Sequence, residues 1–126
     1  MPEFRYVVIK EQDYSAAHYL RECHGMCERL HGHNYRCRIH VGANELDSEG
    51  MVVDFADVKE TLQKVVKRFD HQLLNDVKPF DEINPTLEHV AQHIAEEVAR
   101  VIDSERRRVF ACELWETDRN VAIYYR

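Results

Sequence analysis

Long basic clusters, long apolar runs, internal repeats and linker-like stretches are all missing from these 126 residues, and each gap removes a class of function. Seventeen Lys and Arg stand against 23 Asp and Glu, and the only basic run is Arg106-Arg107-Arg108. Nucleic acid is held mainly by clustered cations that neutralise phosphates, so a chain with a formal net charge of −6 is not expected to bind it. The arginine run reads as a solvated turn. No charge-free apolar stretch approaches the roughly 18 residues of a membrane-spanning helix, so no membrane partner is expected. The first residues carry Glu3, Arg5, Lys10 and Glu11 and do not read as a secretory signal. The expectation is a cytoplasmic protein. Its four cysteines, Cys23, Cys27, Cys37 and Cys112, would stay reduced there and serve a metal or catalysis rather than disulfides.

With 44% hydrophobic and 32% charged residues, the chain suits one soluble domain, residues 1–126, with a modest core. Phe4 to Lys10 is dense in aromatic and β-branched residues and predicts a first strand, with His18 near its far end. From His31 a period of two is clear. One row holds His31, His33, Tyr35, Cys37, Ile39 and Val41; the other holds Gly32, Asn34, Arg36, Arg38 and His40. An apolar row alternating with a polar row predicts a half-buried strand. A turn at Asp47-Ser48-Glu49-Gly50 leads to a short strand at 51–53. Asp54 caps a predicted helix with Phe55, Val58, Leu62, Val65, Val66 and Phe69 inside. Thr86 caps a second, with Leu87, Val90, Ala91, Ile94, Val98 and Val101 inside. A hairpin follows, Val109 to Glu116 and Val121 to Tyr125. The order ββ-αα-ββ predicts an α+β fold, with helices on one face of an antiparallel sheet. Its two open edges favour a homo-oligomer.

The chemistry gathers around Cys27-Glu28-Arg29-Leu30-His31-Gly32-His33. On a strand, residues two apart share a face, so His31 and His33 converge on one point; off a strand they are two exposed histidines at a loop end. Here they sit on the inward row, where unpartnered polar groups cost about 1–3 kcal/mol each. His18 is the natural third group, because the first strand can pair antiparallel with the strand of His31 and His33. Three histidines and an open position make a catalytic zinc site; Cys23 or Cys27 as fourth ligand would make a closed, structural one. The short cysteine-to-histidine spacing, unlike a zinc finger's, favours the open site. His89 and His93, four apart, could also ligate a metal, but are expected on the exposed flank of the second helix. In the first arm of the hairpin, Phe110, Cys112, Leu114 and Glu116 are expected to share a face, with Glu116 ending that apolar row either at an exposed strand end or anchoring a ligand.

Across nearly its whole length the chain resembles the 6-pyruvoyl-tetrahydropterin synthase / 6-carboxytetrahydropterin synthase family. Ser15-Ala16-Ala17-His18 and His31-Gly32-His33-Asn34-Tyr35 match its zinc-histidine motifs, and Cys27 its catalytic cysteine. Asp70-His71, Asn84-Pro85-Thr86-Leu87-Glu88 and Trp115-Glu116-Thr117-Asp118 match three further motifs, in order. Tyr14 stands where the family usually has Phe, and Cys23 is an extra thiol. The resemblance implies the tunnelling fold, with sheets joined into a barrel, active sites at subunit interfaces, and a hexamer built as a dimer of trimers. It implies Zn(2+) on His18, His31 and His33; Cys27, Asp70 and His71 as catalytic groups; and Glu116 and Thr86 as substrate-binding ones.

The three residues between Cys27 and His31 resemble the bacterial 6-carboxytetrahydropterin synthases of queuosine (7-deazaguanine) biosynthesis. Such lyases convert 7,8-dihydroneopterin triphosphate to 6-carboxytetrahydropterin, acetaldehyde and triphosphate. Glu28 resembles a glutamate with which a related subgroup makes 6-hydroxymethyl-dihydropterin for folate, and is otherwise an ordinary loop residue. Rival readings are that folate-type activity, 6-pyruvoyl-tetrahydropterin formation, and a zinc-stabilised binding module without catalysis.

Overall fold

Two long strands run antiparallel along their entire length. β1 (Tyr6–His18) and β2 (His31–Ala43) pair from Tyr6 opposite Ala43 to His18 opposite His31. The computed structural model describes residues 3–21 and 29–126, so Cys23, Cys27 and Glu28 lie outside the described residues. After β2 come helix α1 (Phe55–Lys67), the two-residue strand β3 (Gln72–Leu73), a single 3-10 turn (Leu74–Asp76) and helix α2 (Leu87–Ile102). β4 (Arg107–Thr117) and β5 (Asn120–Tyr125) close the chain as a hairpin. The sheet order is β3-β1-β2-β4-β5, with β3 parallel to β1 and every other pair antiparallel.

The period-two row does what its chemistry demands. Tyr35, Cys37, Ile39 and Val41 of β2 are buried beneath the helices, joined by Tyr14 and Ala16 of β1 and Val109, Cys112 and Leu114 of β4. α1 contributes Val58, Leu62 and Val66, and α2 contributes Val90, Ala91, Ile94, Ala95, Val98, Ala99 and Ile102. Both helices start where the sequence places a cap. Asp54 Oδ1 accepts from Ala56 N–H at 2.8 Å, and Thr86 Oγ1 accepts from His89 N–H at 3.2 Å.

Several expectations are corrected. Residues 51–53 form no strand, although Val52 and Val53 are buried. Phe55 and Val101 are exposed, because helix phase rather than hydrophobicity decides which end residues reach the core. The sheet has a fifth strand, β3, too short for any periodicity to announce. Phe110 does not share a face with Cys112. The β2–β4 register slips between His40 and Val41, so Val109 takes the inward place. Phe110 turns to the other face, with ring centroids 5.0 Å from Phe4 and 5.7 Å from His40. Phe4 in turn lies over Gly42, where any side chain would strike its ring. His93 is half-buried against Phe69 and Phe80, not on an exposed flank, while His89 is exposed as expected.

Candidate metal centre and active site

Strand register assembles the three histidines. His18 faces His31 across the β1–β2 pair, and His33, opposite Ala16, follows on the same face. One ligand atom from each lies within 4.8 Å of the others, and no other such group of metal-ligating side chains occurs among the described residues. His18 is buried; His31 and His33 are half-buried.

Hydrogen bonds outside the cluster set the tautomers. His18 Nδ1 lies 3.0 Å from the Pro85 carbonyl oxygen and His31 Nδ1 lies 2.7 Å from that of Arg29. A carbonyl only accepts, so each Nδ1 carries a hydrogen, and in the neutral ring, the form that ligates a metal, each Nε2 carries a lone pair. Those two Nε2 atoms are 3.0 Å apart, and His33 Nε2 is buried without a hydrogen-bond partner among the described residues. Lone pairs facing one another at that distance repel unless a cation sits among them. For comparison, nitrogens at about 2.0–2.1 Å from a tetrahedral zinc are roughly 3.3 Å apart. The donor set fits a divalent transition metal. Burial also lowers the pKa of His18 and, with Glu116 opposing it, that of His33, which favours the neutral form that ligates.

The remaining predicted residues fall into three groups. Glu116 comes to the cluster: its Oε2 is 3.6 Å from His33 Nε2, and its side chain is half-buried rather than at an exposed strand end. Asp70 and His71 pair with each other, His71 Nδ1 lying 3.1 Å from Asp70 Oδ1. Asp70 Oδ1 also accepts from Ser15 N–H at 2.9 Å, and that bond first, His71 second, holds its carboxyl below the usual range. His71 has φ 60°, a left-handed conformation uncommon outside glycine, and its N–H donates to Ser15 O at 2.6 Å. Its side chain is exposed, and no hydrogen bond links it to the triad among the described residues. Both His71 and His33 line an open cleft of about 450 Å³ with Ser15, Ala17, Gly32 and Asn34. Thr86 spends its hydroxyl on the helix cap.

Sequence reasoning missed the partners that hold the triad from behind: the Arg29 and Pro85 carbonyls, and Tyr35, whose Oη is 3.4 Å from His18 Nδ1. Burial raises the Tyr35 pKa, so it stays a neutral phenol. Backbone carbonyls leave no mark in residue identity. Tyr35 could have been found, because it continues the inward row two residues beyond His33.

Comparison with known proteins agrees with this geometry. The family model described as 6-pyruvoyl tetrahydropterin synthase matches residues 7–126. The chain is 34% identical over 122 residues to the 6-carboxy-5,6,7,8-tetrahydropterin synthase of Bacillus subtilis, covering 91% of this chain and 82% of that protein. It is also 34% identical over 125 residues to the Synechocystis protein of the same name, covering 95% and 93%. The solved Caenorhabditis elegans 6-pyruvoyl tetrahydropterin synthase superposes with a TM-score of 0.84 at 28% identity, over 96% of this chain and 95% of that one. The sheet is therefore that of the tunnelling fold, and the chain belongs to the 6-pyruvoyl tetrahydropterin synthase family of enzymes.

Proposed function

We propose that the chain is a zinc-dependent 6-carboxy-5,6,7,8-tetrahydropterin synthase of the queuosine pathway. Its substrates are 7,8-dihydroneopterin triphosphate and water, and its products are 6-carboxytetrahydropterin, acetaldehyde and triphosphate. The observation that carries the reading is the convergence of His18, His31 and His33 with Glu116 3.6 Å from His33. The names of the bacterial relatives supply the product, 6-carboxy-5,6,7,8-tetrahydropterin.

Bound by the three histidines, zinc supplies Lewis-acid polarisation of substrate hydroxyls. Glu116 accepts paired hydrogen bonds from the amino group and ring N–H of the pterin, fixing its side chain towards the histidines. Cys27 takes a proton from the side-chain carbon as general base, and His71, oriented by Asp70, is the complementary acid/base. Thr86, at the start of α2, borders the pterin. A homohexamer, a dimer of trimers, places these groups at subunit interfaces; support comes from the sheet edges at β3 and β5, which pair with no further strand among the described residues.

The test is to feed 7,8-dihydroneopterin triphosphate to the zinc-loaded protein and identify both fragments. Acetaldehyde with 6-carboxytetrahydropterin is expected. A two-carbon hydroxyaldehyde with 6-hydroxymethyl-dihydropterin would move the chemistry to Glu28 and folate, and a retained three-carbon side chain would mean the pyruvoyl product. Cys27→Ala is expected to give a folded, zinc-loaded, inactive protein; loss of both metal and fold would instead support a binding module.

A further inference from the structure

His18 is steadied by a segment outside both strands of the metal centre. Pro85, whose carbonyl faces His18 Nδ1, is fixed on either side. Ahead of it, Asn84 clasps the backbone of Arg21: Arg21 N–H donates to Asn84 Oδ1 at 2.8 Å and Asn84 Nδ2 donates to Arg21 O at 3.0 Å. The Asn84 carbonyl accepts from His89 Nδ1 at 2.8 Å, and Thr86 caps α2 immediately after Pro85. Arg21 returns the grip, its guanidinium donating to the carbonyls of Phe80, Asp81 and Ile83. A second asparagine makes the same two-bond clasp one alternation earlier. Tyr19 N–H donates to Asn75 Oδ1 at 3.0 Å and Asn75 Nδ2 donates to Tyr19 O at 2.9 Å. Asn75, however, has no neighbouring carbonyl on a triad histidine.

We propose that Asn84 is a positioning residue of the metal centre. By clasping Arg21 it seats the Pro85 carbonyl against His18 Nδ1 and keeps the His18 Nε2 lone pair aimed at His31 and His33. The inference rests on the reading that these histidines hold zinc. A histidine ligand whose other nitrogen donates to a fixed carbonyl is locked in tautomer and ring orientation, and loss of such an outer partner costs about 10–100-fold in metal affinity. The amide itself matters, because an aspartate would keep the acceptor for Arg21 N–H but set a carboxylate oxygen against Arg21 O.

Asn75 supplies the control. Zinc affinity is measured by competition with a chromogenic chelator on metal-free wild type, Asn84→Ala, Asn84→Asp and Asn75→Ala, each well below its unfolding temperature. Asn84→Ala is expected to bind about tenfold more weakly or worse, and Asn84→Asp more weakly than wild type by a smaller factor. Asn75→Ala is expected to stay close to wild type although it loses the same two bonds. In nitrogen-15 spectra of metal-free protein, His18 should be the Nδ1–H tautomer in wild type and a mixture in Asn84→Ala. If Asn84→Ala does not fold, Asn84→Asp carries the comparison. Wild-type affinity in the Asn84 variants, or an equal loss in Asn75→Ala, overturns the inference while leaving the metal reading intact. A folded wild type that takes up no zinc overturns both.

Discussion

At the scale of single residues, the two carboxylates of the site have opposite surroundings and different tests. Glu116 faces His33 and, in the proposed pose, the guanidine-like edge of the pterin. Charge-assisted hydrogen bonds contribute about 1.5–3 kcal/mol, so Glu116→Gln should lower kcat/KM by roughly ten- to a hundredfold with zinc content unchanged. Unaltered kcat/KM would remove Glu116 from the substrate. Asp70 is held below the ordinary carboxylate pKa by the Ser15 N–H and His71. Such a group stabilises the fold at pH above the ordinary value near 4, and that contribution is lost as pH falls through its depressed folded value. Urea midpoints from pH 6 to 2 should therefore fall less steeply for Asp70→Asn than for wild type; parallel curves would show that Asp70 carries no such linkage. The histidines were legible in the sequence because a period of two converts spacing into a shared face. The hydrogen bonds that orient them were not, since Arg29 and Pro85 act through carbonyls that every residue possesses.

At the scale of elements, the caps and the β2 row could be read from residue type, and the departures have local causes. Asp54 and Thr86 cap α1 and α2 as their side chains require. The slip that turns Phe110 away from Cys112 could not be read, because an extra residue in one strand leaves the hydrophobic pattern looking continuous. His93 was misplaced for a related reason: a charged flank suggested water, but Phe69 and Phe80 follow α1 closely enough to cover the ring. Thr86 also separates two roles. Thr86→Ala removes the cap and should lower stability by about 1 kcal/mol in urea unfolding, whereas Thr86→Ser keeps the hydroxyl and should unfold like wild type. A kinetic defect in the serine variant would place the lost methyl group against the substrate.

At the scale of the whole molecule, helices cover one face of the sheet, and the other carries a polar lattice. His40 Nε2 lies 2.5 Å from Glu113 Oε2, Trp115 Nε1–H donates to Glu113 Oε1 at 3.2 Å, and Arg38 Nε donates to Glu11 Oε1 at 2.8 Å. The β5 edge exposes Val121, Ile123 and Tyr125, an apolar set suited to an edge that another subunit completes. In size-exclusion chromatography with light scattering, wild type should run as a multiple of the 15.0 kDa chain, and Ile123→Lys should shift it towards the single chain. A wild type that runs at 15.0 kDa would sink the hexamer and the shared active sites with it.

The clasp of Asn84 on Arg21 also bears on how the protein ages. Asparagine side chains are commonly lost when the following backbone nitrogen attacks the amide, closing a ring that opens to aspartate. Asn84 is followed by Pro85, whose nitrogen carries no hydrogen and is tied into its own ring. The amide that steadies the metal centre is therefore chemically shielded by the same neighbour whose carbonyl it sets in place. Asn75, followed by Asp76, lacks that shield and relies on its burial and its two bonds to Tyr19.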